Sequence, residues 1–117
     1  MTATHHESLA AGRWHRLSIS EQLGNVGSEV ERALRARNAG NEARFRSAVA
    51  RALELFDLTA ADPRWKGHRR REVLRAREQF CAVFWGDNDV SPDSIASLTK
   101  YFLYFAQRAR SEAVDST

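Results

Sequence analysis

A single cysteine, Cys81, leaves this chain without an internal disulfide, which fits a reducing cytosol. Only two prolines occur, Pro63 and Pro92, so little interrupts helices between them. The apolar runs are short, which excludes a segment able to span a membrane. Residues 1–16 hold His5, His6 and His15 but no apolar stretch, so the sequence predicts no secretory signal and a cytoplasmic protein. Nothing alternates with period two for long enough to argue for a strand. Lysine is also scarce: sixteen arginines stand beside two lysines.

What is present fits one soluble domain. The chain has 117 residues, enough to bury a single core unaided. Charged residues make up 28% and hydrophobic residues 43%; net charge is +3 and the isoelectric point about 9.6. Arginine presents a planar fork that grips phosphate or carboxylate with two parallel hydrogen bonds, so the arginine bias favours such partners. Codon usage in a GC-rich genome accounts for the same bias equally well.

Four helical stripes are legible. Ser18 followed by Glu21 has the spacing of a capping box, after which Ile19, Leu23, Val26, Val30, Ala33 and Leu34 mark one face. Gly40 suits the left-handed position that ends this helix, and Asn41 caps the next, with Phe45, Val49, Ala52, Leu53 and Phe56 inward. Asp62 and Pro63 predict the start of the third, which carries Val73, Ala76, Phe80, Val83 and Phe84 and closes at Gly86. Ser91 and Pro92 open the fourth, with Ile95, Leu98, Phe102, Phe105 and Ala109. The expected fold is all-α: a single up-down-up-down antiparallel four-helix bundle over residues 17–112, with a flexible tail at 1–16 and a C-terminal tail at 113–117.

This connectivity sorts the charges by end. Arg13, Arg16, the run Arg64, Lys66, His68, Arg69, Arg70 and Arg71, and then Arg108 and Arg110 gather at one end. So many like charges are costly to hold together unless an anion neutralises them, and a polyanion is the obvious candidate. Arg32, Arg35, Arg37, Arg44 and Arg46 gather at the other end around Gly40, where Asp87, Asp89 and Asp93 partly offset them. Glu54, Asp57, Glu72 and Glu78 fall where they can pair with Arg51, Arg75 or Arg77, each surface pair being worth about 0–1 kcal/mol.

Signs of a reaction are scarce. No histidine has a glutamate three residues before it, as a di-iron bundle requires, and zinc lacks a second cysteine. Gly24 and Gly27 lie inside a helix, where they allow close approach and form no phosphate loop. Cys81 sits in an apolar run and reads as an inert thiol. No catalytic residue, cofactor or metal is therefore expected. Arg64 and His68 resemble the Arg…His pair of HEPN-type ribonucleases, but the spacing is one residue short and Trp65 replaces the polar residue after the arginine. The polar face Glu21, Asn25, Ser28 and Arg32 reads as solvated. Trp65 either stacks on a nucleobase or pins the start of the third helix against its neighbours. Leu58, Trp85, Tyr101 and Tyr104 fall off the inward stripes and mark a candidate surface for oligomerisation or a protein partner.

Several segments together resemble a known group. They are Trp14-His15-x-Leu17-Ser18, Glu21-Gln22-Leu23-Gly24-Asn25 with Gly27-Ser28-Glu29, and Ala52-Leu53-Glu54-Leu55-Phe56-Asp57; Asp62-Pro63-Arg64-Trp65, Arg75-Ala76-Arg77-Glu78 and Tyr101-Phe102 complete the set. Over residues 14–112 the chain resembles the accessory variability determinant family of diversity-generating retroelements, itself similar to the bundle protein encoded within intervening sequences of some 23S ribosomal RNA genes. The resemblance implies a homopentameric, basic, non-enzymatic bundle that binds a reverse transcriptase and RNA or an RNA/DNA duplex. Two alternatives remain from the residues alone: an assembly module with no nucleic-acid role, and a ribonuclease toxin.

Overall fold

The computed structural model describes residues 12–85 and 92–115, and no strand occurs among them. Four long helices account for most of these residues: α1 (Ile19–Asn38), α2 (Glu42–Ala60), α3 (His68–Trp85) and α4 (Pro92–Asp115). Residues 12–14, the first of those described, are helical. No helix among the described residues is long and apolar enough to cross a membrane.

Local chemistry fixes most of the boundaries. The Glu21 amide donates to Ser18 Oγ at 3.1 Å while the Ser18 amide donates to Glu21 Oε1 at 3.0 Å, the reciprocal capping box expected at the start of α1. At the far end Gly40 adopts φ +71°, a left-handed conformation that costs glycine nothing. Asn41 Oδ1 then accepts from the Arg44 amide at 3.1 Å and starts α2. Pro92 is the first residue of α4, where its missing N–H leaves no bond unmade. The expected cap at Ser91 and stop at Gly86, with Asp87 and Asp89, lie outside the described residues.

The third helix starts later than its sequence suggests. Asp62 does not cap it. Instead Asp62 Oδ1 accepts from the Arg64 amide two residues on, and the Trp65 amide donates to the Asp62 carbonyl. These bonds close a turn in which the aspartate mimics backbone. The chain then passes through Gly67 at φ +60° before the Arg71 amide makes the first helical bond, to the Gly67 carbonyl. Arg64 and Lys66 therefore sit on a connecting turn and not on a helix.

Packing follows the stripes. Leu23, Val26, Val30 and Ala33 of α1 are buried together with Val49, Ala52 and Phe56 of α2, the five expected residues of α3, and Leu98, Phe102 and Phe105 of α4. Ile19, Leu34, Phe45, Leu53 and Ile95 pack at its margin, as does the half-buried Cys81. Phe56 joins three helices, its ring centroid 5.6 Å from Phe80 and 5.9 Å from Phe102. Tilted pairs of this kind add about 0.5–1.5 kcal/mol beyond the area they bury. α1 packs on α2 and α4, α2 on α3, and α3 on α4.

Trp14 corrects the expected tail boundary. It is 8% exposed, its indole Nε1 donates to Thr59 Oγ1 at 2.8 Å, and it belongs to the core. Packing therefore begins before residue 17, and α4 runs on to Asp115, past the boundary expected at 112.

The two mid-helix glycines of α1 let α4 approach. A Cβ on Gly27 would lie 2.6 Å from Phe102 Cβ, whereas one on Gly24 would meet the Ala106 Cα at 3.3 Å. Ser20 Oγ donates to Glu112, further along α4, so α1 and α4 run in opposite directions. Gly27→Ala should destabilise by about 1–2 kcal/mol, because displacing the buried Phe102 outweighs the roughly 1 kcal/mol gained in helix propensity. Thermal unfolding checks this. An unchanged or raised midpoint would contradict the close packing of α4 at Gly27.

Candidate nucleic-acid interface

One end of the molecule is held by a buried polar cluster. Gln22 is fully buried, and its Nε2 donates to the Trp14 carbonyl and to Asp62 Oδ2, each at 2.9 Å. Its Oε1 accepts from Trp65 Nε1 at 2.6 Å. The Asp62 carboxylate, 1% exposed as a residue, also meets the Arg64 guanidinium at 2.7 Å. Arg64 reaches on to the Leu17 carbonyl and lies over the Trp65 ring, 4.5 Å from its centroid. Every polar atom of Gln22 and Asp62 thus has a partner, as a buried network requires.

These bonds set the charge state of Asp62. Burial alone pushes its carboxyl up, but hydrogen bonds from the Arg64 side chain and amide and from Gln22 outweigh that and hold it well below the usual carboxylate range. The same pairing raises the Arg64 guanidinium above its ordinary value.

The cluster decides which cations remain available. Arg64 was expected to contact nucleic acid, yet its guanidinium is committed to Asp62, Leu17 and Trp65. Trp65 is pinned by Gln22 and covered by Arg64, so of its two readings the pinning one describes it. Arg108 bonds the Tyr104 hydroxyl at 3.3 Å and Glu112 at 3.2 Å, which together raise its guanidinium above its ordinary value. Arg69 lies 4.0 Å from Glu72. Arg13, Arg16, Lys66, His68, Arg70, Arg71 and Arg110 are exposed and have no ion pair among the described residues.

Contacts bring these groups to one end. The Arg64–Leu17 bond ties the 62–67 turn to the segment carrying Arg13 and Arg16, and the Ser20–Glu112 bond ties the end of α4 to the start of α1. The first turn of α3 contains no acid. His68, Arg69, Arg70 and Arg71 therefore crowd the positive end of the helix dipole, where each cation is disfavoured by about 0.3–1 kcal/mol. An arriving anion reverses that penalty and meets the open amides of the turn as well.

The expected interface residues separate. Tyr104 is 54% exposed beside Leu103 at 48%. Tyr101, in contrast, is half-buried against the core and its hydroxyl donates to Glu72 Oε1 at 3.3 Å. Burial and the neighbouring Glu72 carboxylate raise that hydroxyl well above its usual value. Leu58 is likewise packed on the core, and its carbonyl oxygen lies 3.2 Å from His15 Nε2. The Trp85 side chain lies outside the described residues. Among the acids expected to pair, Asp57 meets Arg77 at 3.0 Å.

Two buried polar residues gave no periodic signal in the sequence, Gln22 and Glu29, because each occupies a helical face between apolar positions. Among the described residues no group of three or more His, Cys, Asp or Glu side chains converges as a metal site would. Comparison with protein-family models, curated proteins and solved structures finds no match to this chain.

Proposed function

We propose that this chain is a non-enzymatic RNA-binding accessory factor, acting as a homo-oligomer with a reverse transcriptase in a diversity-generating retroelement. In this reading the four helices form one up-down-up-down antiparallel bundle, and the protein works in the cytoplasm on RNA or an RNA/DNA duplex. The first turn of α3 carries the proposal: a histidine and three arginines, all exposed and without an acid in the turn, at the positive end of a helix. The reverse transcriptase and a pentameric ring rest on the family resemblance. An assembly module is the second reading, favoured by the exposed Leu103 and Tyr104.

Purified protein should retain a structured RNA in a salt-dependent manner and cleave it no faster than a no-protein control. A general acid or base contributes about 10²–10⁴-fold. Sustained cleavage that disappears in His68→Ala would establish the ribonuclease reading in its place. Light scattering at micromolar concentration should give a mass several times 13.3 kDa, and Tyr104→Glu should lower it without loss of helicity. A single 13 kDa species across that range removes the oligomer from the proposal.

A further inference from the structure

A cleft of about 560 Å³ lies between α1 and α2, at the opposite end from the 62–71 segment. Its walls are long side chains, Arg32 and Arg35 from α1 and Arg44 and Arg51 from α2, with Ser47 between the latter two. Small residues open it: Ala36, Ala39 and Ala48 line the gap where larger side chains would close the helices together. Its volume falls within the roughly 300–1,000 Å³ usual for small-molecule sites.

Glu29 lines the same cleft, and its carboxylate is 90% buried by side-chain area. One oxygen accepts from Arg32 at 2.7 Å. The other, Oε2, is a buried polar atom without a hydrogen-bond partner. Glu29 thus brings a buried, unmet acceptor to the lining of a cationic cleft, which is costly to keep and asks for a donor. Arg44 and Arg51 have no ion pair among the described residues, so two cations ask for an anion on the facing wall of the same cleft. Simple phosphate answers the arginines and is repelled by Glu29. A ligand that answers both carries a phosphate at one end and paired N–H donors at the other.

We propose that this cleft binds a nucleotide, with its phosphate on Arg44 and Arg51 and its base on Glu29. Guanine fits best, because its adjacent N1–H and N2–H donors match the two oxygens of a carboxylate. Arg32, whose side chain is 61% exposed, swings off Glu29 to open both oxygens and joins the arginines that hold the phosphate. This site is separate from the α3 surface, and binding of a free nucleotide here is independent of whether that surface holds RNA.

Calorimetric titration of the full chain with GMP, AMP, UMP and inorganic phosphate at fixed ionic strength tests the proposal. GMP should bind at least about tenfold more tightly than phosphate and more tightly than AMP or UMP, the discrimination expected of a paired base contact. Glu29→Gln replaces one acceptor with a donor and should abolish the preference for GMP while leaving phosphate binding intact. Arg44→Gln with Arg51→Gln should weaken both ligands. A U-rich oligonucleotide with one G distinguishes the sources: binding tighter than GMP that falls in Glu29→Gln identifies single-stranded RNA as the ligand of the cleft, and oligonucleotide binding that Glu29→Gln leaves unchanged identifies the free nucleotide. Equal affinity of the wild type for GMP and phosphate overturns the proposal without any variant. So does the absence of GMP binding, or a GMP preference that survives Glu29→Gln.

Discussion

Asp62→Ala should unfold at a midpoint roughly 8–16 °C below that of the parent protein. The variant removes a carboxylate that accepts from Gln22, from the Arg64 amide and from the Arg64 guanidinium. Hydrogen bonds to a charged group contribute about 1.5–3 kcal/mol each. Gln22 keeps its bond to the Trp14 carbonyl and the Arg64 side chain, 40% exposed, regains water, so the net loss is about 2–4 kcal/mol. For a domain of 117 residues each kcal/mol moves the midpoint by roughly 4 °C. Asp62→Asn keeps the shape and isolates the charge. Because the folded carboxyl is held below its unfolded value of about 3.9, its stabilising contribution is complete above that value and is lost as pH falls towards the folded pKa. Wild-type stability should therefore drop more steeply than that of Asp62→Asn below about pH 5. Parallel acid profiles would show that Asp62 is not the ionised anchor of this cluster.

Much of the helical architecture is legible in the sequence, and its physical basis explains why. Ser18, Glu21, Gly40 and Asn41 act through backbone bonds only a few residues long, so local sequence specifies them completely. Phe56, Phe80 and Phe102 repeat at helical spacing, and that spacing alone aims them inward. Asp62 failed as a helix-start signal for a reason invisible locally. A capping aspartate and a turn-forming aspartate look alike until Gln22, forty residues earlier in the chain, arrives to bury the carboxylate. Tyr101 misled in a similar way, since its phenol reaches Glu72 on a neighbouring helix and draws the ring against the core. The candidate site was legible as a charge count but not as a geometry. Sequence grouped Arg64 and Arg108 with the other cations of that end, yet both turn out to be held by nearby acids. Glu29, one of three acids in α1, offered no sign that it would be buried with an unmet oxygen.

The central claim is that the open cations at the start of α3 bind RNA, and a salt titration of Arg69→Gln, Arg70→Gln, Arg71→Gln against the parent tests it most directly. Each phosphate neutralised releases counterions, so log affinity falls with log salt by about 0.7–0.9 per contact. Removing three contacts should flatten that slope by about two to three units and weaken binding to a structured RNA by tenfold or more at low salt. Helicity should persist, because the three residues are exposed, only Arg69 approaches an acid, at 4.0 Å from Glu72, and glutamine is a good helix former. Fluorescence anisotropy with a labelled hairpin, read at four or five salt concentrations, gives both quantities in one series. A flattened slope with lowered affinity is the result this account predicts. A triple variant with the parent's slope and affinity contradicts it, and the arginines of α3 would then have no part in holding RNA.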